Sequence, residues 1–235
     1  MSKKNVLLFG SSGQIGSCIK DSFVRQEDNV FCCLRSDSKK NSSPDVNYII
    51  WDVLKDNDSA LEDIDGFDAI CYAQGLNATD SIYNFDKSNH MSLYEANCLY
   101  ILESLSILIS KKLLKKNCKI CIISSIWQDI SRQDKLSYSV TKSAIKGMVN
   151  SLAIDLAQDG HLINAVLPGA IDTEMTRSNL NDKQISTLEN ATFFNRLSNI
   201  NDIASLVSFL CSSENTSITG QFINVDLGFC NGKVI

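Results

Sequence analysis

Histidine is scarce in this chain, and long apolar and basic runs are absent. The only two histidines, His90 and His161, lie far apart without neighbouring ligand residues, so both are expected to be structural. No apolar run is long enough for a signal peptide or a bilayer span, and we expect a cytoplasmic protein. A net charge of −5 without a basic cluster argues against a nucleic-acid or anionic-membrane surface. A function that acts on small molecules is therefore favoured.

Cysteine is frequent, with nine residues, but the pattern does not predict a disulfide framework. The number is odd, and most of the cysteines lie inside apolar runs, which is typical of small core residues. Cys118 and Cys121 form a CxxC pair within a strand pattern, where positions i and i+3 face opposite sides of a sheet. We therefore predict neither a metal site nor a redox pair.

Short apolar runs alternate with segments of helical length, which predicts an α/β fold with a doubly wound parallel sheet, the Rossmann fold, and helices on both faces. The length and the 44% hydrophobic content fit one domain over residues 1–235. Asp202 is expected to start the last helix. The predicted strands are residues 6–9, 30–34, 48–51, 69–72, 120–124, 162–167 and 222–225. The clearest helices are 15–24, 94–114, 138–157 and 202–210.

A glycine-rich loop follows the first strand and opens the first helix. In this context glycines allow a tight turn and let a pyrophosphate approach the helix N-terminus. The loop predicts dinucleotide binding at the carboxyl ends of the strands. Its residues are Gly10, Ser11, Ser12, Gly13, Gln14, Ile15 and Gly16.

The end of the second strand indicates which dinucleotide is bound. Folds that prefer NAD usually place a carboxylate there, whereas arginine accommodates the 2′-phosphate of NADP. This strand ends in Arg35 and Ser36, Lys39 and Lys40 follow, and the only nearby acid, Asp37, comes late. We predict NADP (NADPH), with NAD as the less favoured cofactor. The alternative is a solvated basic loop without a ligand.

Tyr138 and Lys142 lie four residues apart in a helical pattern, so both side chains share one face. A positive charge about 5 Å from a phenol, at an effective dielectric constant of about 20, favours phenolate by roughly 3 kcal/mol, or about two pKa units. Such a tyrosine can act as a general acid or base. Ser125, thirteen residues upstream, can hydrogen-bond the reacting oxygen. The alternative is an ordinary surface pair.

These motifs, in this order, resemble the compact branch of the short-chain dehydrogenase/reductase family, and are similar to 3-oxoacyl-acyl-carrier-protein reductases. The resemblance extends over almost the whole chain and ends with Thr219-Gly220-Gln221 and Val225-Asp226-Leu227-Gly228. It implies that hydride passes between a nicotinamide cofactor and a carbonyl or secondary alcohol. The implied catalytic residues are Ser125, Tyr138, Lys142 and Asn97, where Asn97 holds a water beside the lysine.

The resemblance also implies further cofactor contacts beyond the glycine loop. Asp52 and Val53 match the adenine region, and the PGxxxT turn that begins at Pro168 shapes the nicotinamide pocket. Tyr138 and Lys142 also contact the cofactor in this family. The remaining implied contacts are Ala73, Gln74, Gly75, Gly169, Ile171 and Thr173.

Three departures from the family pattern keep other functions open. Gln14 stands where this branch has a glycine, and the resulting GxxGxxG spacing is commoner in sugar-nucleotide epimerases and dehydratases. Those enzymes need a substantial C-terminal domain, and only about 60 residues follow Thr173. Tyr72-Ala73-Gln74-Gly75 replaces the family's NNAG, and Leu227 replaces a glycine, which leaves a non-catalytic dinucleotide-binding scaffold or sensor as a third reading.

The substrate is the least determined feature. A 3-oxoacyl thioester, a ketone and a sugar all remain open: Lys115, Lys116 and Lys119 could meet an acidic carrier protein, which Asp159 would repel. Residues 173–197 are expected to form a lid over the substrate. Its two phenylalanines, Phe193 and Phe194, either line the pocket or anchor the lid. The family resemblance implies a homotetramer or homodimer.

Overall fold

A seven-stranded parallel sheet forms the centre of the fold, as predicted. The computed structural model describes residues 3–36, 44–55 and 59–232. The strand order is β3-β2-β1-β4-β5-β6-β7, and every neighbouring pair is parallel. The strands are β1 Asn5–Phe9, β2 Asn29–Leu34, β3 Val46–Ile50, β4 Phe67–Tyr72, β5 Leu114–Ile123, β6 Leu162–Pro168 and β7 Phe222–Val225.

The order of the strands reverses beside β1. This strand pairs with β2 on one side and with β4 on the other, so the connections leave it in opposite directions. In open parallel sheets a ligand crevice forms at such a point, outside the carboxyl ends of the strands. The glycine loop follows β1 directly and therefore lies at this crevice.

Helices cover both faces of the sheet and give the protein two apolar cores. On one face, Ile101, Leu105 and Val149 pack against the sheet; on the other, Ile19 and Val207 do so. Cys118 belongs to the first core and Cys121 to the second, as the strand alternation predicts. The helices are α1 Gln14–Arg25, α2 Lys87–Tyr94, α3 Tyr100–Ser110, α4 Leu136–Asp155, α5 Glu174–Asn179, α6 Asp182–Asn190 and α7 Ile200–Leu210.

The helix predicted over residues 94–114 is wrong at both ends. Helical structure begins with α2 and passes through a π-helical turn, Glu95–Leu99, into α3. It ends early because Lys112 adopts a left-handed conformation with φ of 57°, after which Leu114 already belongs to β5. A lysine in this conformation gives no sequence signal, because glycine is the residue usual at such a stop.

The predicted start of the last helix is also wrong. Asn199 caps α7 by accepting a hydrogen bond from the Asn201 backbone N–H at 2.8 Å. Asp202 lies in the first turn, and its carboxylate accepts from the Asn199 backbone N–H at 3.0 Å. The two side chains form a reciprocal capping box, so Asp202 supports the helix start from inside the helix.

All nine cysteines are free, and seven of them are buried, which confirms their role as core residues. Burial raises the pKa of Cys33 to about 12, so this thiol stays protonated at neutral pH. In the parts of the chain that the structure describes, no group of histidine, cysteine and acidic side chains has the arrangement of a metal site. No helix within these same parts is long and apolar enough to cross a bilayer.

Candidate active site

The predicted site residues lie at one edge of the sheet because all strands run in the same direction. The glycine loop follows β1, Arg35 and Ser36 follow β2, and Asp52 comes after β3. Residues 73–75 follow β4, and Ser125 follows β5. Pro168 ends β6 and is paired with Val225 of β7. This edge is the carboxyl edge, where the crevice beside β1 opens.

The phenol of Tyr138 lies beside the Ser125 hydroxyl and the Lys142 amine. Tyr138 and Lys142 both belong to α4, and the Lys142 Nζ is 5.7 Å from the centre of the Tyr138 ring. The Ser125 hydroxyl is near enough to the phenol to lower its pKa, and it accepts a hydrogen bond from the Trp127 backbone N–H at 3.3 Å. The structure thus brings together the three residues that the sequence pattern predicts as a catalytic group.

Burial controls the pKa of Tyr138 more strongly than Lys142 does. It raises the pKa of this phenol above the usual value, and the nearby Ser125 hydroxyl opposes the rise. Lys142 is itself only 4% exposed, and burial lowers its pKa to about 8, while the Cys98 thiol raises it. Lys142 is not among the causes of this shift, so the lowering of the Tyr138 pKa by Lys142 stays a prediction.

Asn97 ties the segment after β4 to α4. Its Oδ1 accepts from the Leu76 backbone N–H at 2.8 Å, and its Nδ2 donates to the Leu76 carbonyl and to the Thr141 hydroxyl, both at 3.0 Å. A Cβ on Gly75 would lie 2.8 Å from Asn97 Oδ1 and 3.7 Å from Lys142 Nζ. Asn97 and Lys142 therefore border the same point above Gly75. Any other residue at position 75 would place its Cβ there and displace the Asn97 amide.

The first turn of α4 is held by a residue far away in the sequence. Asp80 accepts from the Ser137 backbone N–H through Oδ1 at 3.0 Å and from the Ser137 hydroxyl through Oδ2. The Leu136 backbone N–H donates to the Asp80 carbonyl at 3.2 Å, and His90 Nδ1 lies 2.8 Å from the Ser137 hydroxyl oxygen. These contacts replace a local cap and fix the turn that presents Tyr138.

A second lysine, Lys135, lies beside Tyr138, and the sequence reasoning missed it. Its ammonium is 5.5 Å from the centre of the Tyr138 ring and donates to Asn77 Oδ1 at 2.7 Å and to the Ala78 carbonyl at 2.9 Å. The available signal was the spacing: Lys135 precedes Tyr138 by three positions, and Lys142 follows it by four. Both spacings place side chains on one helix face.

The glycine loop fits the pyrophosphate of a dinucleotide. A Cβ on Gly10 would be 2.4 Å from the Gln74 backbone nitrogen, and one on Gly16 would be 2.1 Å from the Gly10 carbonyl oxygen, so the tight turn itself requires both glycines. Gly13 has ordinary clearance from the rest of the protein. It precedes α1, whose start has no side-chain cap and no acidic residue. This leaves backbone N–H groups and the positive end of the helix dipole available to an anion.

The other predicted residues near the loop differ in exposure. Ser11 is buried, whereas Ser12 and Gln14 are exposed and Ile15 is half-buried. Because Gln14 points its side chain away from the core, its replacement of a glycine does not fill the loop. Arg35 and Ser36 are exposed at the rim of the crevice. Asp37, Lys39 and Lys40 lie outside the described residues.

The segment after β4 replaces the family's asparagines with an aromatic contact. The Tyr72 ring stacks on Phe9 with centroids 4.8 Å apart, and the Ser104 hydroxyl donates to the Tyr72 hydroxyl at 3.0 Å. The Ala73 backbone N–H donates to the Phe9 carbonyl at 3.0 Å. Both polar atoms of the Gln74 side chain are buried and have no hydrogen-bond partner among the residues that the structure describes. An unpaired amide at the crevice is consistent with a polar ligand there.

The remaining predicted cofactor contacts also have partners in the protein. Lys55 forms an ion pair with Asp52 at 3.0 Å, and the Val53 side chain is buried in the core. The Gly169 backbone N–H donates to the Val225 carbonyl at 3.0 Å, and Ile171 forms a bridge with Ser198. Thr173 caps α5 by accepting from the Thr176 backbone N–H at 3.1 Å.

The two phenylalanines of the predicted lid have different surroundings. A Cβ on Gly228 would lie between 2.3 and 2.8 Å from atoms of the Phe193 ring, so this glycine makes room for the ring. The Phe193 backbone N–H donates to the Leu227 carbonyl at 3.0 Å. Phe194 is 64% exposed, and the Arg196 guanidinium lies 6.0 Å from its ring centre. Phe193 therefore anchors the segment, and Phe194 faces outward.

The lysines considered for carrier binding lie at the edge of the sheet opposite the candidate active site. Lys115 and Lys116 are near the start of β5, and Lys115 pairs with Asp65 at 3.2 Å. Lys116 and Lys119 line a cavity of about 990 Å³ together with Lys4 and Asp28, at the amino ends of the strands. At about 3.3 Å per residue, Lys119 is roughly 20 Å from Ser125 along the chain. Asp159, ahead of β6, is at this same edge, so neither the lysines nor Asp159 lie beside the candidate active site.

Known proteins share both the sequence and the architecture. A family model described as Enoyl-(Acyl carrier protein) reductase matches residues 55–230. The 3-oxoacyl-(acyl-carrier-protein) reductase FabG of Salmonella typhimurium is 27% identical over 237 aligned positions, which cover 96% of each chain.

Solved structures agree with this assignment at the level of the fold. A short-chain dehydrogenase family protein from Francisella tularensis has a TM-score of 0.88 at 24% identity, covering 98% of this chain and 100% of the other. A gluconate 5-dehydrogenase from Burkholderia cenocepacia, solved with NADP and tartrate, has a TM-score of 0.90 at 18% identity, covering 99% and 97%. Because the family model extends over well more than half of its length, this chain belongs to the short-chain dehydrogenase/reductase family and is an oxidoreductase.

Proposed function

We propose that this protein is an NADP(H)-dependent carbonyl reductase in which Tyr138 is the general acid. The observation that carries the proposal is the grouping of Tyr138, Ser125 and Lys142 at the carboxyl edge of the sheet, next to a glycine loop that fits a pyrophosphate. The cofactor supplies or accepts a hydride when it is bound. The uncapped start of α1 would hold its pyrophosphate, and Arg35 would meet the 2′-phosphate.

Ser125 and Tyr138 would act on the substrate oxygen. When the carbonyl carbon receives hydride, its oxygen gains negative charge, the Ser125 hydroxyl donates a hydrogen bond to it, and Tyr138 transfers its phenolic proton. Because burial raises the pKa of Tyr138, the phenol carries its proton at neutral pH. This protonation state supports the reductive direction. In alcohol oxidation the same groups would take the proton back.

Lys142 and Asn97 would return a proton to Tyr138. A pKa of about 8 lets the Lys142 amine gain and lose a proton near neutral pH. Asn97 Oδ1 lies beside the same point above Gly75 and has a lone pair free for a water molecule, since each of its three protein contacts uses a different hydrogen or lone pair. We propose that Lys142 and the water held by Asn97 replace the proton that Tyr138 gives to the substrate.

We leave the substrate open among a ketone, a sugar and a 3-oxoacyl thioester. Relatives with each of the last two chemistries occur: FabG of Salmonella typhimurium is a 3-oxoacyl carrier-protein reductase, and an L-rhamnose 1-dehydrogenase (NADP(+)) of Thermoplasma acidophilum is 35% identical over 48% of this chain. NADPH oxidation measured against a panel of these three classes separates them. No oxidation with any member would favour the non-catalytic scaffold.

We further propose that residues 1–235 act as one domain, with residues 173–197 as a lid and with α3 and α4 in a homo-oligomer interface. Leu102 and Ile109 on α3 are partly exposed, and Ile154 on α4 is 77% exposed. Both helices pack on the same apolar core, and exposed apolar side chains on such helices are typical of a surface that associates. Light scattering coupled to gel filtration tests this, and a monomeric wild-type protein would contradict it.

The variant Tyr138→Phe tests the proposed role of the phenol. It removes only the hydroxyl, so we expect turnover to fall by at least about a thousandfold while NADPH binding, followed by fluorescence, stays within a few-fold. Tyr83→Phe is the matched control, because Tyr83 is 98% exposed, and it should retain full turnover. Turnover of Tyr138→Phe near the wild-type level would refute the proposal.

A further inference from the structure

The proposed chemistry uses neither of the two histidines of the chain, but the contacts of each ring determine which of its nitrogens carries the hydrogen. His161 Nδ1 accepts a hydrogen bond from the Cys118 backbone N–H at 3.1 Å. This nitrogen presents a lone pair, so the hydrogen of the neutral ring is on Nε2. His161 is buried just before β6, at the amino edge of the sheet. It is therefore a reference ring away from the candidate active site.

His90 has the opposite surroundings. Its Nδ1 lies 2.8 Å from the Ser137 hydroxyl oxygen, and the same hydroxyl contacts Asp80 Oδ2. A carboxylate can only accept, so the single hydroxyl hydrogen of Ser137 points to Asp80. Solvent water does not compete for this hydrogen, because the Ser137 side chain is completely buried. The bond between Ser137 and His90 is then donated by Nδ1, which carries hydrogen in this tautomer and also in the charged ring.

The Ser137 hydroxyl belongs to the first turn of α4, and the residue before this helix provides no side-chain cap. Asp80 takes the place of a cap. Its Oδ1 accepts from the Ser137 backbone N–H at 3.0 Å, and its carbonyl accepts from the Leu136 backbone N–H at 3.2 Å. One residue thus satisfies two of the backbone donors that a helix start leaves free. Because Tyr138 follows Ser137 directly, its orientation depends on these contacts.

We infer that His90 is a positioning residue for Tyr138, whose Nδ1–H donates to the Ser137 hydroxyl and so commits that hydroxyl to Asp80. Without this donor the hydroxyl can rotate, and the carboxylate loses one of the side-chain contacts that keep it against α4. The chain of hydrogen bonds joins α2, α4 and the segment after β4 at the turn that presents the tyrosine. The effect on turnover rests on the proposed function, whereas the hydrogen position and the order of the turn do not.

Nitrogen NMR of the wild-type protein tests the hydrogen position directly. In protein labelled at the histidine ring nitrogens, the chemical shifts distinguish the two neutral forms, and the spectrum contains only two rings. It is recorded at about pH 9, because a histidine ordinarily titrates near pH 6.5. The signals that disappear in His90→Asn are assigned to His90. We expect hydrogen on Nδ1 of His90 and on Nε2 of His161. A His90 ring without hydrogen on Nδ1 would overturn the inference.

The variant Ser137→Ala shows whether the Ser137 hydroxyl fixes this hydrogen. The variant removes the acceptor of Nδ1, so the His90 ring should change toward the Nε2–H form, which neutral histidine prefers in water. The signals of His161 should not change. If His90 kept its hydrogen on Nδ1 in this variant, another group would be holding the ring, and the inference would fail.

Three substitutions of His90 separate the donor from the bulk of the ring. Asparagine carries an amide nitrogen as many bonds from the backbone as Nδ1, whereas the amide nitrogen of glutamine lies one bond further. We expect His90→Ala and His90→Gln to lower kcat by roughly 3- to 10-fold, which corresponds to one hydrogen bond, and His90→Asn to stay within about twofold of the wild type. Equal values of kcat in the three variants would overturn the inference.

Two controls accompany these kinetic measurements. The affinity for NADPH should stay within about twofold in all three variants, since none of His90, Ser137 and Asp80 is among the predicted cofactor contacts. Asn89→Ala changes the neighbouring exposed position of α2 and should retain full turnover. A loss of NADPH affinity equal to the loss of kcat would make His90 part of the cofactor site and would contradict the positioning role.

Amide hydrogen exchange provides a readout that needs no turnover. The Ser137 backbone N–H, which donates to Asp80, should exchange about 3- to 10-fold faster in His90→Ala and at the wild-type rate in His90→Asn. A protein that reduces no carbonyl compound but shows this pattern would refute the proposed function alone. Wild-type exchange in His90→Ala would overturn the inference even if kcat fell.

Discussion

The amine of Lys142 lies 5.7 Å from the centre of the Tyr138 ring, but it donates its hydrogen bond to the Ile123 carbonyl, at 3.0 Å. The lysine thus joins the end of β5 to α4, and its side chain is buried between them. Its position makes it part of the core as well as part of the candidate site. The charge that it carries there has a measurable effect on stability.

We predict that Lys142→Met is more stable than the wild type at neutral pH. The folded pKa of about 8 lies below the unfolded value of about 10.4, so the folded state is penalised below pH 8, where both states are protonated. Wild-type stability should rise between about pH 8 and 10.4, as the folded state gives up a proton that the unfolded chain keeps. The variant should lack this rise. At pH 7 its free energy of unfolding should exceed that of the wild type by about 1 to 2 kcal/mol, a net figure that includes the loss of the hydrogen bond to Ile123.

Urea unfolding of both proteins at pH 7 and at pH 10 measures this difference. The gap between wild type and variant should be largest at pH 7 and should narrow at pH 10. A gap independent of pH would show that Lys142 is not buried in its charged form.

We predict that Gly75→Ala impairs both turnover and stability. Its Cβ would stand 2.8 Å from Asn97 Oδ1, which must then move away from Lys142. We expect a loss of about 1 to 3 kcal/mol in unfolding free energy and at least a tenfold lower kcat. Gly147→Ala in α4 is the control: no atom lies within 4 Å of its Cβ, and it should gain about 0.5 to 1 kcal/mol. Equal effects of the two variants would show that the contact between residue 75 and Asn97 is not what impairs Gly75→Ala.

We predict that Gly13 and Gly16 have separable roles. Gly13→Ala should fold with nearly unchanged stability, because its Cβ meets only ordinary contacts, but should bind NADPH at least tenfold more weakly. Gly16→Ala should lose more than about 2 kcal/mol of stability, since its Cβ would be 2.1 Å from the Gly10 carbonyl oxygen. Fluorescence titration and thermal melting distinguish them. Wild-type affinity in Gly13→Ala would place the pyrophosphate elsewhere.

We predict that Arg35→Leu discriminates between the two dinucleotides. Loss of a charge-assisted hydrogen bond to the 2′-phosphate should weaken NADPH binding by about 10- to 100-fold and change NADH binding by less than about twofold. Arg25→Leu, at the end of α1, removes the same charge away from the crevice and should change neither affinity. An equal effect of Arg35→Leu on both cofactors would assign it to a site other than the 2′-phosphate.

The parts of the protein that depend on local patterns could be predicted from the sequence. Alternating apolar runs place all seven strands, since period and length are properties of each segment. The spacing of Tyr138 and Lys142 predicts their shared face for the same reason. Their proximity to Ser125 follows once β5 and the helix pattern after it are recognised.

The parts that depend on distant contacts could not be predicted in this way. The pKa of Tyr138 reflects burial by several elements, which no spacing encodes. Lys112 stops a helix without glycine, and Asp80 caps α4 from 57 positions away. The neutral partners of Lys135 are likewise supplied by the segment after β4. In each case the feature depends on a contact between residues that are far apart in the sequence and meet only in the folded protein.

The remote cap on α4 makes the order of assembly matter for the catalytic turn. An isolated peptide covering residues 130–157 would lack Asp80, and its first turn, which includes Tyr138, would fray even where the remainder stayed helical. During folding the tyrosine can reach its final orientation only after the chain following β4 has docked. Amide hydrogen exchange at Ser137 should consequently report on whether residues 76–80 are docked. The two stretches of chain should open and close as one cooperative unit.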